Sequence, residues 1–155
     1  LTRSGVKVIE YNARLGDPEA MNVLSILETD FIKICQSIVG GTLSSVGVSF
    51  SKKATVCKYV VPTGYPENPS KNFEVFCDPE NKNLYLAAVQ EKDGAIFATG
   101  SRTAAFVGTN KEVGVAESLA ELGVSEIGGD LFHRKDIGTS ALIEGRINHM
   151  KEILG

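Results

Sequence analysis

The sequence predicts an α+β fold, with strand-forming segments in the middle of the chain and helices on either side of them. Three observations lead to this expectation. Apolar residues from Phe31 to Val39 recur at helical spacing. Residues 54–107 contain several runs rich in branched and aromatic side chains, which favour strands. The Asp93-Gly94 pair between two of these runs is typical of a β-hairpin turn.

The start of the chain predicts a strand followed by a helix. Residues 6–11 are mainly apolar and indicate a mostly buried strand. Asp17 is expected to cap the following helix, with Pro18 at its first position. A second helix is expected to be capped by Thr29 or Asp30 and to end at two glycines.

The strands and later helices follow in order. Strands are expected at residues 54–61, 84–90, 95–99 and 103–107, with a shorter one at Leu131–His133. Asn110 is predicted to cap a helix that runs through Leu122 and stops at Gly123. The pattern of residues 139–154 predicts a final helix, which Gly145 weakens.

Size, charge and cysteine content narrow the class of protein. A chain of 155 residues with 43% apolar content can form one ordinary domain, or one domain with a piece of another. A net charge of −3 lacks the excess of basic residues that is typical of nucleic-acid-binding domains. No apolar run approaches the roughly 18 residues that span a membrane. Cys35, Cys57 and Cys77 are too widely spaced for a zinc site, and a reducing cytoplasm is expected.

The most informative stretch surrounds Glu10, Asn12 and Arg14. Residues two apart on a strand point to the same face, so these three side chains are expected to project together. A carboxylate and an amide oxygen suit magnesium, which often takes one or two protein ligands and several phosphate oxygens. An arginine beside them suits a phosphoryl group. The pattern predicts half of a nucleotide–metal site, whereas the same residues alone are also typical of a surface strand.

This stretch resembles the metal-binding strand of the ATP-grasp superfamily. Its continuation, Arg14-Leu15-Gly16-Asp17-Pro18-Glu19, resembles the signature of the glycinamide ribonucleotide synthetase family within it. Asp17 and Glu19 suit either a capping and turn-setting role or contacts to substrate. The resemblance implies that Glu10 and Asn12 bind the metal and that Arg14 is catalytic.

Two later motifs resemble the same family in the expected order. Gly64-Tyr65-Pro66 resembles the turn that opens its C-terminal domain, and Gly64 and Pro66 are expected to be structural. Arg134-Lys135-Asp136-Ile137-Gly138 resembles a motif near its end. Arg134 and Lys135 suit binding of the substrate phosphate or a solvated pair, with Asp136 as a helix cap. Lys135 stands where the family has arginine.

The resemblance implies a division of the chain. Residues 1–50 are expected to be the C-terminal part of an ATP-grasp domain. Residues 51–155 are expected to be a β-rich C-terminal domain of the rudiment-single-hybrid type. The chain is therefore expected to be a fragment of a larger enzyme, inactive by itself, whose remaining N-terminal part is its partner.

The implied reaction joins glycine to 5-phosphoribosylamine at the expense of ATP. Glycine carboxylate takes the γ-phosphoryl group to form glycyl phosphate and ADP, and the amine then displaces phosphate. Such a reaction belongs to purine biosynthesis and needs Mg²⁺ or Mn²⁺. Two alternatives stay open, namely another ATP-grasp carboxylate–amine ligase and a non-catalytic packing or oligomerisation module.

Overall fold

Helices and antiparallel strands alternate along the chain in a computed structural model that describes residues 2–155. The helices are α1 (Glu19–Leu24), α2 (Phe31–Val39), α3 (Val113–Ser125) and α4 (Ser140–Leu154), with a short 3-10 helix at Leu43–Ser45. The strands are β1 (Ala54–Pro62), β2 (Glu74–Val75), β3 (Leu84–Leu86), β4 (Val89–Lys92), β5 (Ala95–Ala98), β6 (Ala104–Asn110) and β7 (Leu131–His133). No helix within this range is long and apolar enough to cross a membrane.

The strands form two antiparallel sheets. The larger has the order β3-β6-β1-β7, and the smaller has the order β2-β5-β4. β1 lies inside the larger sheet and pairs with β6 along most of its length. At its far end Val60 lies opposite both Ala104 of β6 and His133 of β7. This pairing brings the segment that follows His133 to the end of β1.

The two faces of the larger sheet are covered by different parts of the chain. Side chains alternate along β1, because successive residues of a strand point to opposite faces. Val56 packs with Ala116 and Ala120 of α3 on one face. Cys57 belongs to a cluster on the other face, where Met21 of α1 packs against it. The sheet therefore connects the segment before α2 to the helix α3.

α3 approaches β6 closely because a glycine lies between them. A Cβ added at Gly108 would lie 1.9 Å from the carbonyl oxygen of Ala116 and 2.7 Å from the amide nitrogen of Ala120. Both obstacles are backbone atoms of a helix, which do not move aside as a flexible side chain would. The small residues at these three positions set the spacing between helix and sheet.

Replacing Gly108 by alanine is therefore expected to destabilise the chain. Overpacking of this kind costs about 1–3 kcal/mol, and a backbone clash favours the upper end or beyond. The matched control is Gly145→Ala in α4, where nothing lies within 4 Å of the added Cβ. That variant is expected to raise stability by about 0.5–1 kcal/mol. Urea unfolding followed by circular dichroism distinguishes them, and equal stability of the two variants would contradict the close approach.

Several sequence predictions are confirmed. The chain combines helices with sheets, and Asp30 caps α2 by accepting a hydrogen bond from the Ile32 amide at 2.8 Å. Asp93 and Gly94 have φ angles of 52° and 80° and join β4 to β5. β7 and the final helix also lie where the sequence predicts them.

The buried strand predicted for residues 6–11 is wrong. They form no regular strand, and Ile9 and Tyr11 are 96% and 87% exposed. None of the seven strands within residues 2–155 pairs with this segment. Its apolar side chains therefore have no second strand or helix to pack against in the described part of the chain.

Two boundaries also differ from the predicted ones. The strand expected at residues 84–90 is divided, because the chain leaves the larger sheet after Leu86 and enters the smaller one at Val89. The predicted stop at Gly123 lies inside α3, because its missing side chain makes room for the Phe106 ring. Asn110 ends β6 rather than capping α3, although its side chain accepts a hydrogen bond from the Glu112 amide.

Candidate functional site

The first candidate site is a cavity of about 400 Å³ beside the start of α1. Three of its lining residues are the predicted ligands and phosphate-binding arginine. The lining consists of Glu10, Asn12, Arg14, Gly16, Asp17 and Glu19. The structure thus brings the three predicted side chains to one cavity, although they lie on an irregular segment rather than on a strand.

The cavity offers oxygen atoms of the kind that a hard cation prefers. The Asn12 Nδ2 donates to Glu10 Oε1 at 3.1 Å, which leaves Asn12 Oδ1 and Glu10 Oε2 as oxygen donors. Arg14 Nη1 donates to the Leu15 carbonyl at 3.1 Å. Among residues 2–155, no group of three His, Cys, Asp or Glu side chains could hold a metal. The donor set fits Mg²⁺, which completes its coordination with water and substrate phosphates.

Asp17 does not cap α1, which corrects the sequence prediction. Pro18 occupies the N-cap position instead of the first helical position, and no side chain caps this helix. The Asp17 carboxylate instead accepts a hydrogen bond from the Tyr59 hydroxyl at 2.7 Å and lies 3.4 Å from Arg102 Nη2. The Asp17 carboxylate therefore contacts the Tyr59 hydroxyl and the Arg102 guanidinium instead of a backbone amide of α1. Glu19 is the first residue of α1.

The turn after β1 contains the Gly-Tyr-Pro motif. Gly64 has a φ of +83°, and a Cβ there would lie 2.2 Å from the Asn68 carbonyl oxygen. The Asn68 amide donates to the Gly64 carbonyl at 2.9 Å, which closes the turn. Pro66 lies inside it. This turn requires glycine because L side chains rarely adopt the left-handed region.

Arg134 and Asp136 form an exposed bidentate pair. Arg134 Nε and Nη2 donate to the two carboxylate oxygens at 3.0 and 2.5 Å. These hydrogen bonds hold the pKa of Asp136 below its ordinary value. Asp136 is therefore not the predicted cap of α4, whose N-cap is Thr139. The Thr139 hydroxyl accepts from the Leu142 amide at 3.3 Å, because the helix begins at Ser140, beyond the reach of Asp136.

The three sequence motifs meet around a second, apolar cavity of about 410 Å³. Pro18 comes from the first motif, Tyr65 and Pro66 from the second, and Arg134 and Ile137 from the third. The other lining residues are Cys57, Tyr59, Val61 and Phe132. Burial raises the pKa of the Cys57 thiol to about 12, with a smaller contribution from the charge of Asp17. This thiol is therefore no nucleophile at neutral pH.

Sequence reasoning missed a buried charge cluster around Lys58. Its ammonium, 1% exposed, donates to Glu117 Oε1 and Glu121 Oε2, both at 2.6 Å, and to the Lys135 carbonyl at 3.0 Å. Burial lowers the pKa of Lys58, but the two carboxylates outweigh this effect and raise it overall. His133 Nε2 lies 3.0 Å from Glu121 Oε1.

This cluster positions the third motif, because Lys58 joins the backbone of Lys135 to β1 and α3. A signal for it was present in the sequence. Lys58 lies on the strand face of Val56 and Val60, and Glu117 and Glu121 are four residues apart on a predicted helix.

Known proteins resemble this chain along nearly its whole length. Residues 55–140 match the family described as phosphoribosylglycinamide synthetase, C domain. Phosphoribosylamine–glycine ligases from Methanosarcina barkeri and Methanocella arvoryzae are 55% and 49% identical over 156 residues, covering 100% of this chain. The chain spans 36% of the length of each of these relatives.

A solved structure agrees with these matches. The crystal structure of phosphoribosylamine–glycine ligase from Thermotoga maritima is 26% identical, with a TM-score of 0.64, over 84% of this chain and 33% of that one. The mixed helix and sheet arrangement is therefore that of a known fold. Since the family match covers more than half of its residues, the chain belongs to the phosphoribosylglycinamide synthetase C-domain family.

Proposed function

We propose that the chain is the C-terminal part of a phosphoribosylamine–glycine ligase, an ATP-dependent carbon–nitrogen ligase of purine biosynthesis. The observation that carries this proposal is the shared cavity of Glu10, Asn12 and Arg14 in a chain whose relatives bear that name. Residues 1–50 then end an ATP-grasp domain, and residues 51–155 form the C-terminal domain of rudiment-single-hybrid type. The family match at residues 55–140 supports this boundary.

Three side chains of the cavity have a chemical role in the proposal, namely Glu10, Asn12 and Arg14. Glu10 Oε2 and Asn12 Oδ1 would hold Mg²⁺ or Mn²⁺. A bound divalent cation neutralises phosphate charge during phosphoryl transfer. Arg14 donates hydrogen bonds to the γ-phosphoryl group as it passes to glycine carboxylate, and steadies the same group in glycyl phosphate. Arg14 uses only Nη1 for the Leu15 carbonyl, at 3.1 Å, so its other guanidinium N–H groups can donate to the phosphoryl group.

The second substrate, 5-phosphoribosylamine, carries a phosphate that needs its own cationic site. We assign it to Arg134 and Lys135, whose side chains are exposed at the end of β7. The Arg134 guanidinium already binds Asp136 through two donors. Phosphate therefore has to compete with that carboxylate, or bind the remaining donors, while Lys135 contributes a free ammonium.

An assay of the full-length enzyme tests the proposal. With Mg-ATP, formation of ADP should require both glycine and 5-phosphoribosylamine, and phosphate should appear in equal amount. A different amine or carboxylate partner in a substrate screen would point to another ATP-grasp ligase and overturn it. The 155-residue chain alone should neither hydrolyse ATP nor ligate glycine. Turnover by the pure chain would refute the proposal that it is one part of a larger enzyme.

A further inference from the structure

Asp17 is fastened to the sheet region by three contacts. The Tyr59 hydroxyl donates to Asp17 Oδ1 at 2.7 Å. Arg102 Nη1 donates to the Asp17 carbonyl oxygen at 3.2 Å, and its Nη2 lies 3.4 Å from Oδ2. The Arg102 guanidinium also lies over the Tyr59 ring, 5.5 Å from its centroid. Both partners thus contact each other as well as Asp17, which fixes their orientation.

The position of Asp17 gives these contacts their significance. It lines the cavity that also contains Glu10, Asn12 and Arg14. The segment from residue 6 to residue 14 is exposed throughout and belongs to no sheet. Asp17 thus joins the wall of the candidate metal site to Tyr59 of β1 and to Arg102, which lies two residues before β6.

We infer that Tyr59 and Arg102 are positioning residues for the candidate metal–phosphate site, acting through Asp17. They fix the backbone three residues after Arg14 and so limit where the ligand-bearing segment can lie. The inference rests on the proposed function, since it needs Glu10 and Asn12 to be the metal ligands. Neither residue is catalytic, because neither lines that cavity.

The contacts of Tyr59 and Arg102 with Asp17 are expected to order the local segment rather than to stabilise the whole fold. Arg102 and Asp17 are 43% and 49% exposed, and ion pairs at such exposure add little to global stability. Tyr59 packs against the cluster of Cys57, Ala105 and Val107, and phenylalanine keeps the ring that makes this contact. Their effect is therefore on local order. Burial and the hydrogen bond to Asp17 raise the pKa of Tyr59, so the hydroxyl stays a donor through the neutral range.

The test uses the full-length enzyme and the variant Tyr59→Phe, which removes the hydroxyl and keeps the ring. Amide hydrogen exchange of Ala20 and Met21, whose N–H groups donate to the carbonyls of Gly16 and Pro18 on either side of Asp17, should become faster by about tenfold. Binding of Mn²⁺ in the presence of ATP, read from the loss of the free Mn²⁺ signal in electron paramagnetic resonance, should weaken by a similar factor. The melting temperature should change by less than about 3 °C.

Tyr85→Phe is the matched control. Tyr85 packs on the same cluster of Cys57, Ala105 and Val107 but takes no part in the Asp17 contacts. It should leave both exchange and Mn²⁺ binding unchanged. Asp17→Ala combined with Tyr59→Phe should lose no more affinity for Mn²⁺ than Asp17→Ala alone, because alanine already removes the acceptor of the Tyr59 hydroxyl.

The outcomes are distinct. Equal exchange and equal Mn²⁺ binding in Tyr59→Phe, Tyr85→Phe and the unaltered enzyme would overturn the positioning role. A large fall in melting temperature would also overturn it, since the hydroxyl would then support the whole fold. Absence of glycine ligation by the unaltered enzyme would overturn the proposed function instead, and the exchange measurement would still decide whether the contact orders the segment.

Discussion

Lys58→Met is expected to lower the free energy of unfolding by about 3–5 kcal/mol, the usual effect of removing one partner from a buried ion pair. Methionine has a similar volume, so the loss comes from charge rather than from a void. Glu117 and Glu121 would be left facing each other without the ammonium that both contact at 2.6 Å. The carboxylates are 17% and 30% exposed, so partial hydration favours the lower end of the range.

A triple variant provides the control. Combining Lys58→Met with Glu117→Gln and Glu121→Gln removes the uncompensated charges and should recover most of the loss. Urea unfolding followed by circular dichroism measures both, because the chain has no tryptophan. A single variant within about 1 kcal/mol of the unaltered chain would contradict a buried, charge-compensating role.

The Lys58 cluster also determines how the stability of the fold changes as the pH falls. Hydrogen bonding to Lys58 holds the pKa of Glu121 below its ordinary value of 4.5. Its contribution to stability is therefore present above that value and is lost as the pH falls through the lowered pKa. In Lys58→Met the part of this lowering that comes from Lys58 disappears, so mild acid should protonate Glu121, relieve its repulsion with Glu117 and reduce the difference between variant and unaltered chain.

Glu10→Gln in the full-length enzyme is expected to lower kcat for ligation by about 10²–10³-fold, the usual scale for losing one electrostatic contact to a transition state. Glutamine keeps the shape and one oxygen, but it removes the negative charge that the proposed metal site needs. Because Glu10 is exposed, the melting temperature should not change. A higher Mg²⁺ concentration should restore part of the rate.

Glu91→Gln is a suitable control for that experiment. Glu91 is an exposed carboxylate on β4, in the smaller sheet, and does not line the cavity of Glu10. Its loss should leave ligation and the Mg²⁺ dependence unchanged. If Glu10→Gln retained more than about a tenth of the rate at ordinary Mg²⁺ concentration, the assignment of Glu10 as a metal ligand would be wrong.

Local chemistry explains which parts of the fold could be predicted from the sequence. Asp30 and the Asp93-Gly94 pair act on backbone groups within a few residues, so their effects can be read directly from the chain. Gly123 has the same local pattern as a helix stop. Its role depends instead on the Phe106 ring, which only the packed structure brings near.

The candidate site shows the same division. Glu10, Asn12 and Arg14 lie close in sequence, and their spacing predicts that they share one location, as the cavity shows. The prediction assumed a strand, whereas the segment is irregular. Asp17 pairs with residues more than forty positions away, and no local rule indicates that its carboxylate contacts Tyr59 rather than a helix amide. Long-range polar contacts of this kind need the tertiary structure.

The place of Lys58 in β1 also affects the chain during its synthesis. Val60 pairs with Ala104 and His133, so β1 leaves the ribosome more than forty residues before its partners. At about 5–20 residues per second, that delay is roughly 2–10 s. Meanwhile an apolar strand has two unpaired edges on which other nascent chains can pair. A lysine in its centre opposes such aggregation until α3 supplies the two carboxylates, so one side chain protects the unfinished chain and later anchors the finished one.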